Sequence, residues 1–288
     1  MKLARLIEEH YDLGPVELGE PLEGGYANDV MRLDAGGVPY VLRIKHPPVA
    51  PESIAWEHRF VEQLPLDVVP VPIRARDGSS FFLHDRFAVW LLPFAAGRVA
   101  AHEDGIAVAR ALGRIHAAAS ELRLPQRPTM RPIAVIEWPP ARLPAELAAW
   151  LPALEAGREW AIEWSRSHAE PVGPIHGDFF PGNVLVDGER VSAVLDWEEA
   201  RLDWPAIDVA AGIWHFAARG TEVDRPAAAA FLAAYRESGG VVNASCSSLL
   251  PFIRAKRVLE VLRAPTDRHV DWSYQLHNLQ AVERLAKT

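Results

Sequence analysis

A chain of 288 residues that is 49% hydrophobic and 24% charged fits one large domain or two modest lobes with a substantial core, and is too apolar to be disordered. Its net charge of -8 excludes the clustered Lys and Arg that a nucleic-acid backbone demands, and Cys246, the only cysteine, excludes an internal disulfide or a cysteine-based metal site. Glu8 and Glu9 stand where a signal peptide needs an apolar core, and no segment supplies the ~20 apolar residues of a membrane span, so a cytoplasmic protein without a membrane partner is expected.

The first elements read as strands over Val16–Leu22, Asp29–Leu33 and Tyr40–Ile44, separated by turns at Gly24-Gly25 and Gly36-Gly37. Ser53 reads as the N-cap of a helix running to about Leu64 and stopped by Pro65. Strand patterning resumes over Val71–Ala75 and Phe81–Leu92, around the turn Asp77-Gly78. From Glu103 the period becomes helical: Ile106, Ala109, Leu112, Gly113 and His116 share a face, and Leu143–Ser165 repeats the pattern. Between them Pro125, Pro128, Pro132, Pro139 and Pro140 forbid a regular helix, so residues 125–140 are expected as a surface connector. Short strands return at Val184–Val186 and Val191–Leu195 around Asp187-Gly188, and helices are expected near 204–218, 224–238, 247–263 and 272–286.

The chemistry concentrates in IHGDFFPGNVLVDGERVSAVLDWEE, residues 175–199. Phosphoryl transfer needs an in-line acceptor hydroxyl, a group to take its proton, and cations to offset the triphosphate charge. Asp178 is the candidate acceptor-orienting base; Asn183, five residues on, and Asp196, at the end of an apolar strand, offer oxygen ligands to Mg²⁺. His176 is expected to brace the loop rather than exchange protons. The D-x4-N spacing followed by an aspartate after a hairpin matches the logic of kinase catalytic and metal-binding loops.

HGDFFPGN with the later LDW resembles the aminoglycoside phosphotransferase superfamily, which also contains choline kinases, fructosamine kinases, methylthioribose kinase and the second type of homoserine kinase. The resemblance implies an α+β, protein-kinase-like fold in two lobes. Residues 1–92 would form a small antiparallel-sheet lobe with one helix that holds the nucleotide, and 93–288 a larger, mainly helical lobe with the catalytic loop and acceptor pocket. It implies a phosphotransferase using ATP or GTP with Mg²⁺ and a small-molecule hydroxyl; a catalytically silent nucleotide-binding scaffold is the alternative. LEGGYANDVMRL resembles the loop over the phosphates, with Gly24 and Gly25 allowing close backbone approach, and YVLRIKH the strand bearing the phosphate cation. That cation would be Arg43, with Lys45 as fallback, and Glu57 would be its helix partner. LLPFAAGR (91–98) resembles the inter-lobe hinge and LGRIHA (112–117) the helix after it, with His116 packed. Asp208 would anchor the catalytic loop.

The acceptor must be sought in the tail. From Glu199 onward ten acidic and eleven basic side chains balance, and LPFIRAKRVLEVLR gathers Arg254, Lys256, Arg257 and Arg263, which would suit a carboxylate-bearing acceptor such as an amino acid. Glu198, Glu199 and Asp203 could accept an ammonium group, and Trp197, Trp204, Trp214 and Trp272 could wall a pocket. The order of elements resembles the homoserine-kinase-like branch most.

Overall fold

The computed structural model of the chain describes residues 2–22, 28–135, 145–219 and 222–249, together with Phe252 and Lys256. The turn Gly24-Gly25 lies outside the described residues, as do Arg254, Arg257, Arg263, Trp272 and nearly all of the two expected C-terminal helices.

The N-terminal lobe begins with a helix, α1 (Lys2–His10), followed by strands β1 (Val16–Pro21), β2 (Asn28–Ala35) and β3 (Val38–Lys45), helix α2 (Pro51–Glu62), and strands β4 (Phe82–His84) and β5 (Phe87–Pro93). The five strands form one antiparallel sheet in the order β1-β2-β3-β5-β4. β5 is apolar on both faces because both are covered: Val89 and Leu91 pack with Leu33, Leu42 and Ile7, while Ala88 and Trp90 pack with Ile54 of α2.

Four expectations need correction. The lobe has two helices, not one: Ile7 and Tyr11, four residues apart, both bury fully against the sheet and hold α1 there. Ser53 is not a cap, since α2 starts at Pro51 after Ala50; its hydroxyl meets Thr129 Oγ1 at 2.7 Å and accepts from Arg127 Nε at 2.7 Å. Val71–Ala75 is not a strand, because Pro70 and Pro72 lack the N–H a ladder requires and Ile73 N, at 2.9 Å from Leu91 O, makes its backbone bond to the sheet alone in that stretch. Phe81–Leu92 is a hairpin rather than one run, turning at Asp85, whose φ of 52° is left-handed.

Beyond β5 the chain crosses through β6 (Arg98–Val99) to α3 (Gly105–Ser120) and α4 (Leu151–Ser167). It then forms β7 (Gly173–Ile175), β8 (Val184–Asp187), β9 (Arg190–Val194) and β10 (Arg201–Asp203), and returns to helix in α5 (Ala206–Ala217) and α6 (Arg225–Glu237). β6, β8 and β9 make a three-stranded antiparallel sheet and β7 pairs with β10, so two small ribbons flank the catalytic stretch. α3 and α6 approach closely at Gly113, where a Cβ would collide with the Tyr235 carbonyl. The main core runs from Phe60 of α2 through Leu112, Ile115, Phe179, Val194 and Trp197 to Ile207, Phe231 and Tyr235. Trp197, Trp204 and Trp214 all pack in it, and Trp197 also lines a cleft. No helix among the described residues is long and apolar enough to cross a membrane.

Candidate active site

The catalytic stretch starts where β7 delivers the chain at Ile175 and must turn at once. Gly177 makes that turn with φ +85°, and any Cβ there would strike the Glu199 carbonyl. Asp208, at the first turn of α5, receives the exposed amides: His176 N donates to Oδ2 at 2.7 Å and Gly177 N to Oδ1 at 2.9 Å. His116 of α3 donates from Nε2 to the same carboxylate at 3.2 Å and accepts from the Tyr235 hydroxyl at 2.9 Å. Burial alone would raise the Asp208 pKa, but the hydrogen bonds from His116 and from the Gly177 amide hold it below the ordinary carboxylate value. Asp208 is therefore the anchor the resemblance implied, and His116 is packed.

His176 braces the loop from within. Its Nε2 lies 2.8 Å from Leu195 O, and because a carbonyl can only accept, that nitrogen carries the proton. Nδ1 is then left to accept from Asp178 N at 3.2 Å. The Asn183 amide nitrogen donates to Asp178 O at 2.9 Å and to Asp178 Oδ2 at 3.3 Å, while Leu195 N donates to Asn183 O at 2.7 Å. Asp178 and Asn183 are thus tied by one short network to Leu195, the residue before Asp196.

Asp196 leaves β9 in the left-handed region, φ 60° and ψ 68°, a conformation that strains a side-chain-bearing residue and swings its carboxylate into the cleft. Arg43 of β3 reaches across the lobes to it, Nη2 to Oδ1 at 3.0 Å, and stacks near Trp90. Lys45, on the same strand face, contacts Glu198 at 3.2 Å, and Asn28 donates to the same oxygen at 2.8 Å. The charges of Lys45 and Arg43 overcome burial and keep the Glu198 carboxyl below its usual pKa. Glu198 is therefore occupied by Lys45 and Asn28 of the N-terminal lobe. Asp203 is no acceptor, being buried in an ion pair with Arg201 at 2.9 Å.

Glu57 lines the cleft but does not pair with Arg43. Its Oε2 accepts from Arg127 Nη2 at 2.9 Å. Arg127 also donates to Ala200 O at 2.8 Å, so the proline-rich connector carries a buried cation that ties α2 to the segment after Asp196. Its placement between two prolines gave no sequence signal for that role.

Between the lobes lies a cleft of about 290 Å³ whose apolar part includes Val30, Val41, Trp90, Leu92, Leu185 and Leu195 and whose inner end meets Arg43, Glu57, Asn183 and Asp196. Phe94, Ala95 and Gly97 of the expected hinge line its edge. His58, next to Glu57, was not singled out from sequence; it also lines the cleft, bonds Ser80 Oγ through Nδ1 at 2.8 Å, and has Nε2 buried without a partner. Burial, with Arg43 and Arg127 nearby, pushes its pKa down to about 3.

An apolar slot thus ends at Asn183, Asp196 and the buried Arg43, beside an HGD loop anchored by Asp208. Residues 19–241 match the family described as Phosphotransferase enzyme family. The chain belongs to this family. Phosphotransferase relatives include the homoserine kinase of Methylocella silvestris, 29% identical over 284 residues that cover 92% of this chain and 84% of the relative, and that of Granulibacter bethesdensis, 28% identical over 227 residues, 74% and 70%. Among solved structures, a microcompartment-associated aminopropanol kinase superposes with TM-score 0.73 at 17% identity, covering 99% of this chain and 97% of its own. A ternary complex of aminoglycoside phosphotransferase APH(4)-Ia with ADP and hygromycin B gives 0.63 at 18%, covering 99% and 98%. This phosphotransferase has the two-lobe kinase-like fold, binds a nucleotide, and transfers phosphate to a small-molecule hydroxyl.

Proposed function

We propose that the chain is an ATP-dependent, Mg²⁺-requiring kinase of a short amino alcohol, with homoserine the first candidate, acting in the cytoplasm. The convergence of Asp178, Asn183 and Asp196 with Arg43 on one cleft carries the chemical part of this reading. The acceptor part rests on the relatives: homoserine and aminopropanol both carry a hydroxyl a few bonds from an ammonium group. The lobe of residues 1–92 would hold the nucleotide, with Gly24 and Gly25 over its phosphates, Arg43 as the phosphate cation and Glu57 positioning α2. The lobe of 93–288 would supply the loop and acceptor pocket.

The donor set suits Mg²⁺. The Asn183 amide nitrogen points to Asp178, leaving the carbonyl oxygen for a cation, and Asp196 adds a charged oxygen. Two protein oxygens fit an ion that takes its other ligands from phosphate and water, where it offsets charge on the triphosphate. In the transfer itself, Asp178 orients the acceptor hydroxyl and receives its proton. The acceptor oxygen forms its bond to the γ-phosphorus as the bond to the β,γ-bridging oxygen breaks, and ADP leaves with that electron pair.

The test is ATP consumption with purified protein and Mg²⁺ against homoserine, aminopropanol, choline, ketosamines, methylthioribose and aminoglycosides, with Asp178→Asn as control. Turnover of a short amino alcohol that vanishes in the variant is expected. Turnover of a different acceptor, or equal rates in the Asp178→Asn protein, overturns the substrate or the role of Asp178 respectively.

A further inference from the structure

Lys256 belongs to the basic stretch LPFIRAKR, where solvent exposure would be the ordinary fate of each charge. It is instead 5% exposed, and its Nζ lies 2.9 Å from Asp178 Oδ1 and 3.4 Å from Gly177 O. Phe252, four residues earlier in the sequence, is buried too and meets Trp204 edge-on with ring centroids 5.8 Å apart. A lysine 78 residues beyond Asp178 is thus bound to its carboxylate.

The loop's other contacts leave a charge problem. Asp178 and the γ-phosphoryl group are both anionic, and transfer brings them onto opposite sides of a single acceptor oxygen. Within the loop, the Asp178 carboxylate receives the neutral Asn183 amide on one oxygen, while its own backbone N–H donates to the His176 ring. Arg43 lies on the far side with Asp196, so it serves the nucleotide end. An acceptor oxygen held by Asp178 sits about 2.7 Å from the carboxylate, which brings an ammonium group on that same carboxylate within a few ångströms of the moving phosphoryl oxygens. Because Lys256 is buried, solvent does little to screen it there.

We infer that Lys256 is a positioning residue for the transfer step: it fixes the Asp178 carboxylate toward the acceptor and supplies the positive charge that lets that carboxylate and the transferring phosphoryl group approach. The inference rests on the phosphotransferase reading of Asp178 but on no particular acceptor. Lys256 stabilises the arrangement reached during transfer more than ADP or ATP at rest, so its loss falls on kcat rather than on nucleotide affinity.

The experiment uses the full chain with Mg²⁺ and compares binding of ADP alone with ADP plus aluminium fluoride, an anionic mimic of the moving phosphoryl group, in the wild type, Lys256→Met and Lys256→Arg. Calorimetry should give ADP affinities within about twofold for all three, with the gain on adding fluoride reduced at least tenfold in Lys256→Met and partly restored in Lys256→Arg. With a productive acceptor, kcat should fall about 10²- to 10³-fold in Lys256→Met at nearly constant nucleotide KM. An undiminished fluoride gain in Lys256→Met overturns the inference, and so does an equal loss of ADP binding, which would mark a merely structural residue. If the fluoride gain depends on Lys256 while no amino alcohol is phosphorylated, the acceptor assignment falls and Lys256 stands.

Discussion

Replacing Asp208 by alanine removes the acceptor for two buried amides, His176 N and Gly177 N, held at 2.7 and 2.9 Å, and the partner of His116 Nε2. A buried donor left without a partner costs about 1–3 kcal/mol, so the two amides alone predict a loss of about 2–6 kcal/mol. Against a typical total stability of about 5–15 kcal/mol this is a large share. At roughly 2 °C per kcal/mol for a chain of this size, the melting midpoint should drop by about 4–12 °C in scanning calorimetry. Asp208→Asn keeps one acceptor oxygen but turns an N–H toward a donor, and should fall between the two. Because Gly177 and Asp178 depend on these bonds for position, kcat should fall by more than the unfolded fraction explains at 25 °C. An Asp208→Ala protein that melts within about 1 °C of wild type and turns over normally would refute the idea that this carboxylate holds the loop.

Arg127→Met should destabilise the fold by about 3–5 kcal/mol in urea titration, because Glu57 stays buried without its partner, and the double variant Arg127→Met/Glu57→Leu should recover much of the loss. Arg43→Met should weaken ADP binding by about 10- to 100-fold by calorimetry, the worth of a charged hydrogen bond to phosphate, whereas Lys45→Met, whose amine is already held by Glu198, should change it by less than about fivefold. His58, pushed down to about 3 by burial, stays neutral in the folded state while the unfolded chain takes up a proton near pH 6.5. Its contribution to stability is complete above that pH and declines as pH falls toward 3, at up to about 1.4 kcal/mol per unit. Urea midpoints measured from pH 7.5 down to 5 should therefore drop less steeply in His58→Gln than in wild type.

The approach of Asp178, Asn183 and Asp196 was legible because the D-x4-N spacing and an aspartate after a hairpin put them on one loop and one strand end. The strands around them were legible as well, since Val184 and Val194 sit in short apolar runs broken by Asp187-Gly188. Partners that arrive from far along the chain were not. Arg43 was expected to meet Glu57 but meets Asp196, 153 residues away, and Glu57 takes Arg127 instead. Lys256 was expected to suit a carboxylate-bearing acceptor, because nothing local distinguishes an ammonium group that will be buried against a carboxylate of the chain itself, 78 residues earlier. Helix α1 carries a weaker signal: Ile7 and Tyr11 have the spacing of a buried stripe, but Glu8 and Glu9 between them interrupt it.

The Arg43–Asp196 contact makes the resting protein its own competitor. Asp196 offers Arg43 a carboxylate where an incoming nucleotide would offer phosphate, and the strained left-handed backbone at Asp196 keeps that substitute in place. A phosphate that captures Arg43 must first part it from Asp196, which frees the carboxylate for a cation at the same moment. Nucleotide affinity is then a difference between two pairings, and weakening the resting pair should tighten binding of the bare nucleotide even as it removes the carboxylate proposed to hold Mg²⁺.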